Sequence, residues 1–259
     1  MAPLVSPLPS SRLPDASSIL VELTLVPRAR AVVGTPTPTP ARSYRILRTL
    51  DVDEYEAPIP AAGIVPLTAP RPAPSDNAFR GRSRRAAKLS IVDAELESFN
   101  DISGLIDTLP AHQDMVDHPD ISTQPTNNRV EEERRNVRVK AFLYAASVED
   151  DNDYHLIVGR DPNDPEMYMT VEISGLPSRN NQHFQALNAA RKAYFEFFGE
   201  GLPGTSYDFY DPPIPVEIEG SLFFDASHAT GGRPGPSKLR PHMPVVWEIH
   251  PVSEIVLEP

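Results

Sequence analysis

The chain has 259 residues, 30 of them proline and none cysteine, and its 36 acidic against 24 basic side chains give a formal net charge of -12. The lack of cysteine excludes a disulfide framework, a thiolate metal site and a cysteine nucleophile. The acidic surplus argues against a chain whose main task is to neutralise nucleic acid, and no apolar run approaches the roughly 18 residues that cross a bilayer.

Met1 to Ser18 has prolines where a signal peptide has a basic region and an apolar core, so a cytoplasmic location and no membrane partner are expected. Fourteen of the thirty prolines lie at or before Pro74, including those of the Thr35–Pro40 repeat. Each removes a backbone donor and biases its predecessor toward extended geometry. Residues 1–78 therefore read as a Pro-rich, largely disordered or extended arm. Two segments in it have strand character: Ile19 to Val26, where Ile19, Val21, Leu23 and Leu25 alternate with their neighbours, and Ser43 to Tyr55. Neither is expected to build a core.

Residues 79–128 read as a charged linker with short helices. A basic knot of Arg80, Arg82, Arg84, Arg85 and Lys88 precedes acidic residues Asp93, Glu95 and Glu97. Leu89 to Phe99 suits a short helix. Asp101 suits the cap of a second one, which runs through Leu109 and is ended by Pro110.

Residues 129–259 demand a fold. Period-two alternation predicts strands over 136–148, 153–159, 167–174, 215–225 and 245–257. Val137, Val139, Ala141 and Leu143 share the inner face of the first. Tyr154, Leu156 and Val158 do so in the second, and Met169, Val171 and Ile173 in the third. Asn180 or Asn181 caps an amphipathic helix from about Gln182 to Phe198. Gly220 marks a bend in the fourth strand, and Pro251 an edge position or bulge in the fifth. Three strands, a helix and two strands is the order of the OB-fold. The expected class is thus mainly β, an OB-like five-stranded barrel with one helix between strands three and four. A mixed α+β sandwich is the rival arrangement.

Three segments carry a resemblance: DNDYHLIVGRD (151–161), VEIEGSLFFDASHATG (216–231) and VVWEIHPVSEI (245–255). They resemble the Tyr-His-Leu, Phe-Phe-Asp-x-x-His and Glu-x-His-Pro-Val motifs of a group of uncharacterised bacterial OB-like proteins. That resemblance spans about residues 136–259 and implies a barrel, without a reaction. At the level of fold the chain is also similar to the thermonuclease family, which holds calcium with acidic residues after strand one and grips phosphate with arginines. The matching turn here contains Asp150, Asp151 and Asp153, and the matching loop contains Arg233 and Arg240. Strand three ends in ISGLP without an arginine or the family's acidic signature, so the general-base position is empty.

Four constellations have chemical potential. The turn Glu149–Asp153 offers hard oxygen ligands, with Asp151, Asp153 and Asp225 as the candidate metal set, and equally suits a solvated hairpin. His155, His228, His242 and His250, with Asp225 and Glu248, would make a zinc site if the long loop folded back. The same histidines suit turn-locking hydrogen bonds. The loop 226–244 carries Arg233, Lys238 and Arg240 with adaptable glycines, which with His228 and His250 suit a phosphate or carboxylate. It also suits simple neutralisation of the acidic turn. Arg138, Lys140, Phe142 and Tyr144 interleave charge and aromatic rings as single-strand binding requires, on a domain whose acidic residues outnumber its basic ones. Glu172, Glu217 and Glu219 point away from the expected core. No nucleophile-elbow, phosphate-loop or dinucleotide motif occurs.

The resulting expectation is a non-catalytic binding module for a protein partner or small anion, with no cofactor. The alternatives are a divalent-metal phosphodiesterase built on Asp151, Asp153, Arg233 and Arg240, and a single-stranded nucleic-acid binder.

Overall fold

The computed structural model describes residues 12–27, 42–52, 76–229 and 233–258. Its elements in chain order are β1 Ile19–Leu25, β2 Tyr44–Thr49, α1 Arg85–Lys88, β3 Leu96–Phe99, α2 Ile102–Ile106, α3 His112–Val116, β4 Asn136–Val148, β5 Tyr154–Gly159, β6 Tyr168–Ile173, α4 Phe184–Phe198, β7 Asp208–Phe224, α5 Ala226–Ala229 and β8 Trp247–Leu257. The fold is mainly β. All eight strands belong to one mixed sheet in the order β1-β2-β7-β8-β6-β5-β4-β3, and β4 also pairs with β7. The pairings β4–β5–β6–β8–β7–β4 therefore return to the strand where they began. Within this circuit β6 and β8 run parallel, and the other neighbours are antiparallel.

Alternation decides which side chains face inward. Val137, Val139 and Leu143 of β4, Leu156 and Val158 of β5, and Met169, Val171 and Ile173 of β6 form one continuous core. Leu222, Phe224, Trp247 and Ile249 complete it from β7 and β8, together with Tyr194 and Phe198 of α4. Each large apolar side chain buried this way contributes about 1.5–3 kcal/mol. The α4 helix is entered through Asn181, whose Oδ1 accepts the His183 N–H at 2.8 Å. It ends at Gly199, where φ is +54°, a region that favours glycine.

The β7–β8 pairing slips on both sides of Gly220. A Cβ added there would lie against the Pro251 carbonyl oxygen and 2.7 Å from Ile249 Cγ2. The bend expected at Gly220 and the bulge expected at Pro251 are thus one feature. Gly220→Ala should cost about 1–3 kcal/mol through overpacking, read as a lower urea midpoint. An unchanged midpoint would mean that the close approach is not needed.

Residues 129–259 hold the five strands expected there, β4 to β8, and the sheet gains three more, β1, β2 and β3, from the residues before them. β1 and β2 form a hairpin whose second strand pairs Arg45–Arg48 with Asp208–Asp211 of β7. Leu25, Tyr44 and Ile46 are buried in the main core, so these two segments do contribute to it. The rest of the expected arm, apart from residues 12–27, 42–52 and 76–78, lies outside the described residues. The helix expected over Leu89 to Phe99 is also corrected. Leu96–Phe99 is a strand, parallel to β4 from Asn136 to Val139. Tertiary partners override the local propensity, since Ser221 Oγ accepts the Val92 N–H at 2.9 Å and Asn136 Nδ2 donates to Val92 O at 2.6 Å. Asp101 does cap α2, accepting the Ser103 N–H at 2.7 Å. Among the described residues, no helix is long and apolar enough to cross a membrane.

Candidate functional site

The strands that send apolar residues inward send the alternate ones outward, and on β5, β6 and β8 these are His155, Thr170, Glu172, Glu248 and His250. All five are buried. Over Glu172 and His250 lies a cover, the segment 76–92, most of it the first part of the stretch 79–128 expected to be a charged linker. The Phe79 N–H donates to Leu176 O, the Leu176 N–H to Asn77 O, and the Arg80 N–H to Asp151 O. The basic knot gives this cover its grip. Arg84 forms a two-pronged pair with Glu133 at 2.6 and 2.7 Å, and also donates to Asn128 O and Phe224 O. Arg129 donates to Ala87 O, Ser90 O, Leu222 O and His250 O, tying the cover to β7 and β8. Arg84, Lys88 and Arg129 surround the outward ring of Phe223, with Arg84 closest at 4.8 Å. Cations over an aromatic face are attracted by its quadrupole.

Beneath the cover, Lys88 meets a surplus of acid. Its Nζ lies 3.5 Å from Asp151 Oδ2 and 3.8 Å from Glu172 Oε2. His250 is the centre of the group: Nδ1 is 2.6 Å from Glu172 Oε2 and 3.5 Å from Glu248 Oε2, and Nε2 is 3.3 Å from Asp153 Oδ2. None of these approaches is aligned as a hydrogen bond. Asp153 Oδ1 does accept one, from the Gly175 N–H at 2.6 Å. Nearby, His155 Nδ1 contacts Glu149 and its Nε2 lies 3.1 Å from Thr170 Oγ1. His228 Nδ1 contacts Asp225, whose Oδ1 accepts the Ser227 N–H.

Charge burial sets the protonation of this group. Burial, with Asp151 close by, raises Asp153 to about 7. Burial, with Glu172 and Asp225, raises Glu248 to about 8. For Glu172 burial acts upward, but His250 and Lys88 outweigh it and hold the carboxyl well below its ordinary range. For His250 burial acts downward, and Glu172 outweighs it, so the imidazole is raised well above its ordinary value. Lys88 is likewise raised against burial by Glu172, Asp151 and Asp153.

The residues singled out from the sequence separate into distinct places. Asp151, Asp153, Asp225, His228 and His250 belong to the covered group or its margin. The four histidines do not meet at one point. His155 pairs with Glu149, His228 with Asp225, His250 with Glu172 and Asp153, and His242 with Glu166. Arg233, Lys238 and Arg240 lie elsewhere. Arg233 donates to Met243 O, Arg240 to Gly235 O, and Lys238 to Asp15. Arg233 and His242 line a small groove with Glu166 and Met167, beside the β5–β6 turn. Asp151 and Asp153 precede β5, at its other end. The six residues of β5 span about 20 Å.

On β4, Arg138 pairs with Glu217 and Glu219, and Tyr144 is buried with its hydroxyl donating to Arg160 O. Sequence reasoning missed Lys88 and Glu172 as members of the group. The signal available for them was a basic segment able to cover outward acids. Compared with known protein families, curated proteins and solved structures, the chain matches none.

Proposed function

We propose that the chain is a non-catalytic interaction module. In this reading β4–β8 form an OB-like five-stranded barrel, and the partner is an extended, apolar segment of another protein, flanked by lysine or arginine, laid along β1. The barrel reading is supported by the circuit of pairings, the parallel β6–β8 contact and the position of α4 between β6 and β7, the third and fourth of the five strands in chain order. OB-folds bind ligands on the face of strands two and three, and here the cover 76–92 occupies that face. Binding is thereby directed elsewhere.

The observation that carries the reading is β1. Among the described residues it pairs only with β2, and Leu20, Val21 and Leu23 are 45, 43 and 36 % exposed. A long apolar edge of this kind is a ready template for an added strand. Beside it runs a groove of about 980 Å³ lined by Leu23, Ile46, Phe195, Phe197 and Val256, with Glu196, Glu200 and Glu258 also on its wall. Those acids favour a segment with basic flanks. The phosphodiesterase and single-strand readings have less support, because the acidic turn and the arginines occupy opposite ends of β5 and the β4 aromatic Tyr144 is buried.

A fluorescein-labelled Lys-Val-Thr-Val-Ile-Val-Lys peptide tests the proposal by anisotropy. Saturable binding is expected, weakened roughly tenfold or more by Leu23→Lys, with the β1 amides gaining hydrogen-exchange protection. Equal binding by the variant, or protection elsewhere, overturns it. So does a dimer in which β1 pairs with its own copy, which would assign the edge to self-association.

A further inference from the structure

Four side chains under the cover meet where their facing atoms are unsatisfied. Asp153 Oδ2, Glu172 Oε2, both carboxylate oxygens of Glu248 and both ring nitrogens of His250 lack an aligned hydrogen bond, and the contacts among them are ion pairs, although these residues are between 0 and 3 % exposed. Buried polar atoms are hydrogen-bonded in the great majority of cases, and a cluster of exceptions calls for a ligand. One ligand atom from each of Asp153, Glu172 and His250 lies within 4.8 Å of the others. Glu248 stands 3.5 Å from the Nδ1 edge of the same imidazole.

We propose that Asp153, Glu172 and His250 hold a divalent cation of the zinc or manganese type, and that Glu248 fixes the imidazole through its other ring nitrogen. This goes beyond the interaction reading and does not depend on it. Carboxylate oxygens with one imidazole nitrogen are a donor set these ions accept, whereas magnesium and calcium favour oxygen alone. A ligating histidine almost always donates its second N–H to a carboxylate or carbonyl. With Nε2 facing the cation beside Asp153, that nitrogen is Nδ1, approached by Glu172 at 2.6 Å and Glu248 at 3.5 Å, and Glu248 is the carboxylate left to it once Glu172 turns to the cation. Charge agrees. Asp151, Asp153, Glu172, Asp225 and Glu248 gather around Lys88 and His250, so added positive charge relieves their mutual repulsion. The three ligands come from the turn before β5, from β6 and from β8. A closed site here is structural, joining three strands beneath the cover.

The competing account is a self-contained network in which protonated His250 and Lys88 suffice. The full chain, stripped with EDTA, separates the two by calorimetric titration and melting with Zn²⁺, Mn²⁺, Mg²⁺ and Ca²⁺. One equivalent of Zn²⁺ or Mn²⁺ should bind. At a hundredfold excess over Kd the melting temperature should rise by about 5–10 °C, and Mg²⁺ and Ca²⁺ should do much less. Glu248→Gln, nearly isosteric, should weaken binding by about 10–100-fold, and His250→Gln should weaken it further. His112→Gln, at an exposed imidazole on α3, should leave it unchanged. No stoichiometric binding overturns the proposal, as does binding that Glu248→Gln leaves intact. Should His250→Gln fail to fold, Glu248→Gln decides.

Discussion

Glu133→Ala is expected to destabilise the protein by about 3–5 kcal/mol, a large share of the 5–15 kcal/mol that holds an ordinary domain together. Glu133 and Arg84 are 0 and 1 % exposed and pair through both carboxylate oxygens. Taking the acid away leaves a guanidinium without its counter-charge in a place water does not reach. It also orphans the Val130 and Phe224 N–H groups, both of which donate to Glu133. Arg129 adds to the loss: burial lowers it to about 10, with Glu133 opposing that fall and Arg84 reinforcing it. Chemical denaturation measures the cost. The paired replacement Arg84→Met with Glu133→Leu should recover much of it, because removing both charges avoids the stranded ion. Recovery should stop short of the parent, since the two N–H groups stay unpaired. A single variant within about 1 kcal/mol of the parent, the range of an exposed pair, would show that this pair is solvated.

The second large effect is expected at Arg191 of α4. This side chain is 2 % exposed and has no carboxylate at ion-pair distance among the described residues. It donates to Asn152 O, Ile173 O, Ser174 O and Asn152 Oδ1, and its Nε donates to Asn77 Oδ1 at 3.2 Å. Its guanidinium lies over the Tyr154 and Phe195 rings at 4.8 and 5.2 Å. Burial lowers its pKa, with Tyr154 and Asp153 opposing. Arg191→Leu keeps the apolar stem and abandons the carbonyls, each costing about 1–3 kcal/mol when left unpaired. A total near 4 kcal/mol is expected, read as a lower denaturation midpoint. Faster amide exchange should concentrate at Asn152 and Asp153, because Arg191 holds that turn to the helix. Arg191→Lys should restore only part, since an ammonium cannot span the same fork of acceptors. Uniform exchange across the chain, with no excess at the turn, would count against the tethering role.

Much of the second half was legible. Alternation in VRVKAFLYA gave β4 its bounds and its inner face, and the same rule placed Leu156, Val171 and Ile173 correctly. The limits of that rule explain the rest. Period two separates two faces of a strand but does not say whether the outer one meets water. Glu172, Glu248 and His250 are outward and buried because 76–92 lies over them, and that cover is set by Arg84 and Arg129, whose partners are distant in sequence. β7 begins at Asp208, seven residues earlier than expected, because Pro212, Pro213 and Pro215 obscured a strand whose pairing with β4 slips between Phe209 and Ile214. For β1 and β2, the prolines around them suggested a chain without partners. The partner of β2 is β7, far along the sequence and invisible to local reading.

That distance has a consequence for synthesis. β2 ends at Thr49, whereas β7, against which it docks, starts at Asp208. Ribosomes add about 5–20 residues per second, so the front hairpin emerges roughly 8–30 s before its docking strand exists. Throughout that interval Ile19–Leu25 and Tyr44–Thr49 are sticky ribbons awaiting a neighbour, a situation that invites nascent chains to associate. Proline, poorly tolerated in stacked cross-β assemblies, crowds the sequence on either side of them. Its abundance in the first 74 residues is therefore expected to hinder association of nascent chains while the hairpin waits.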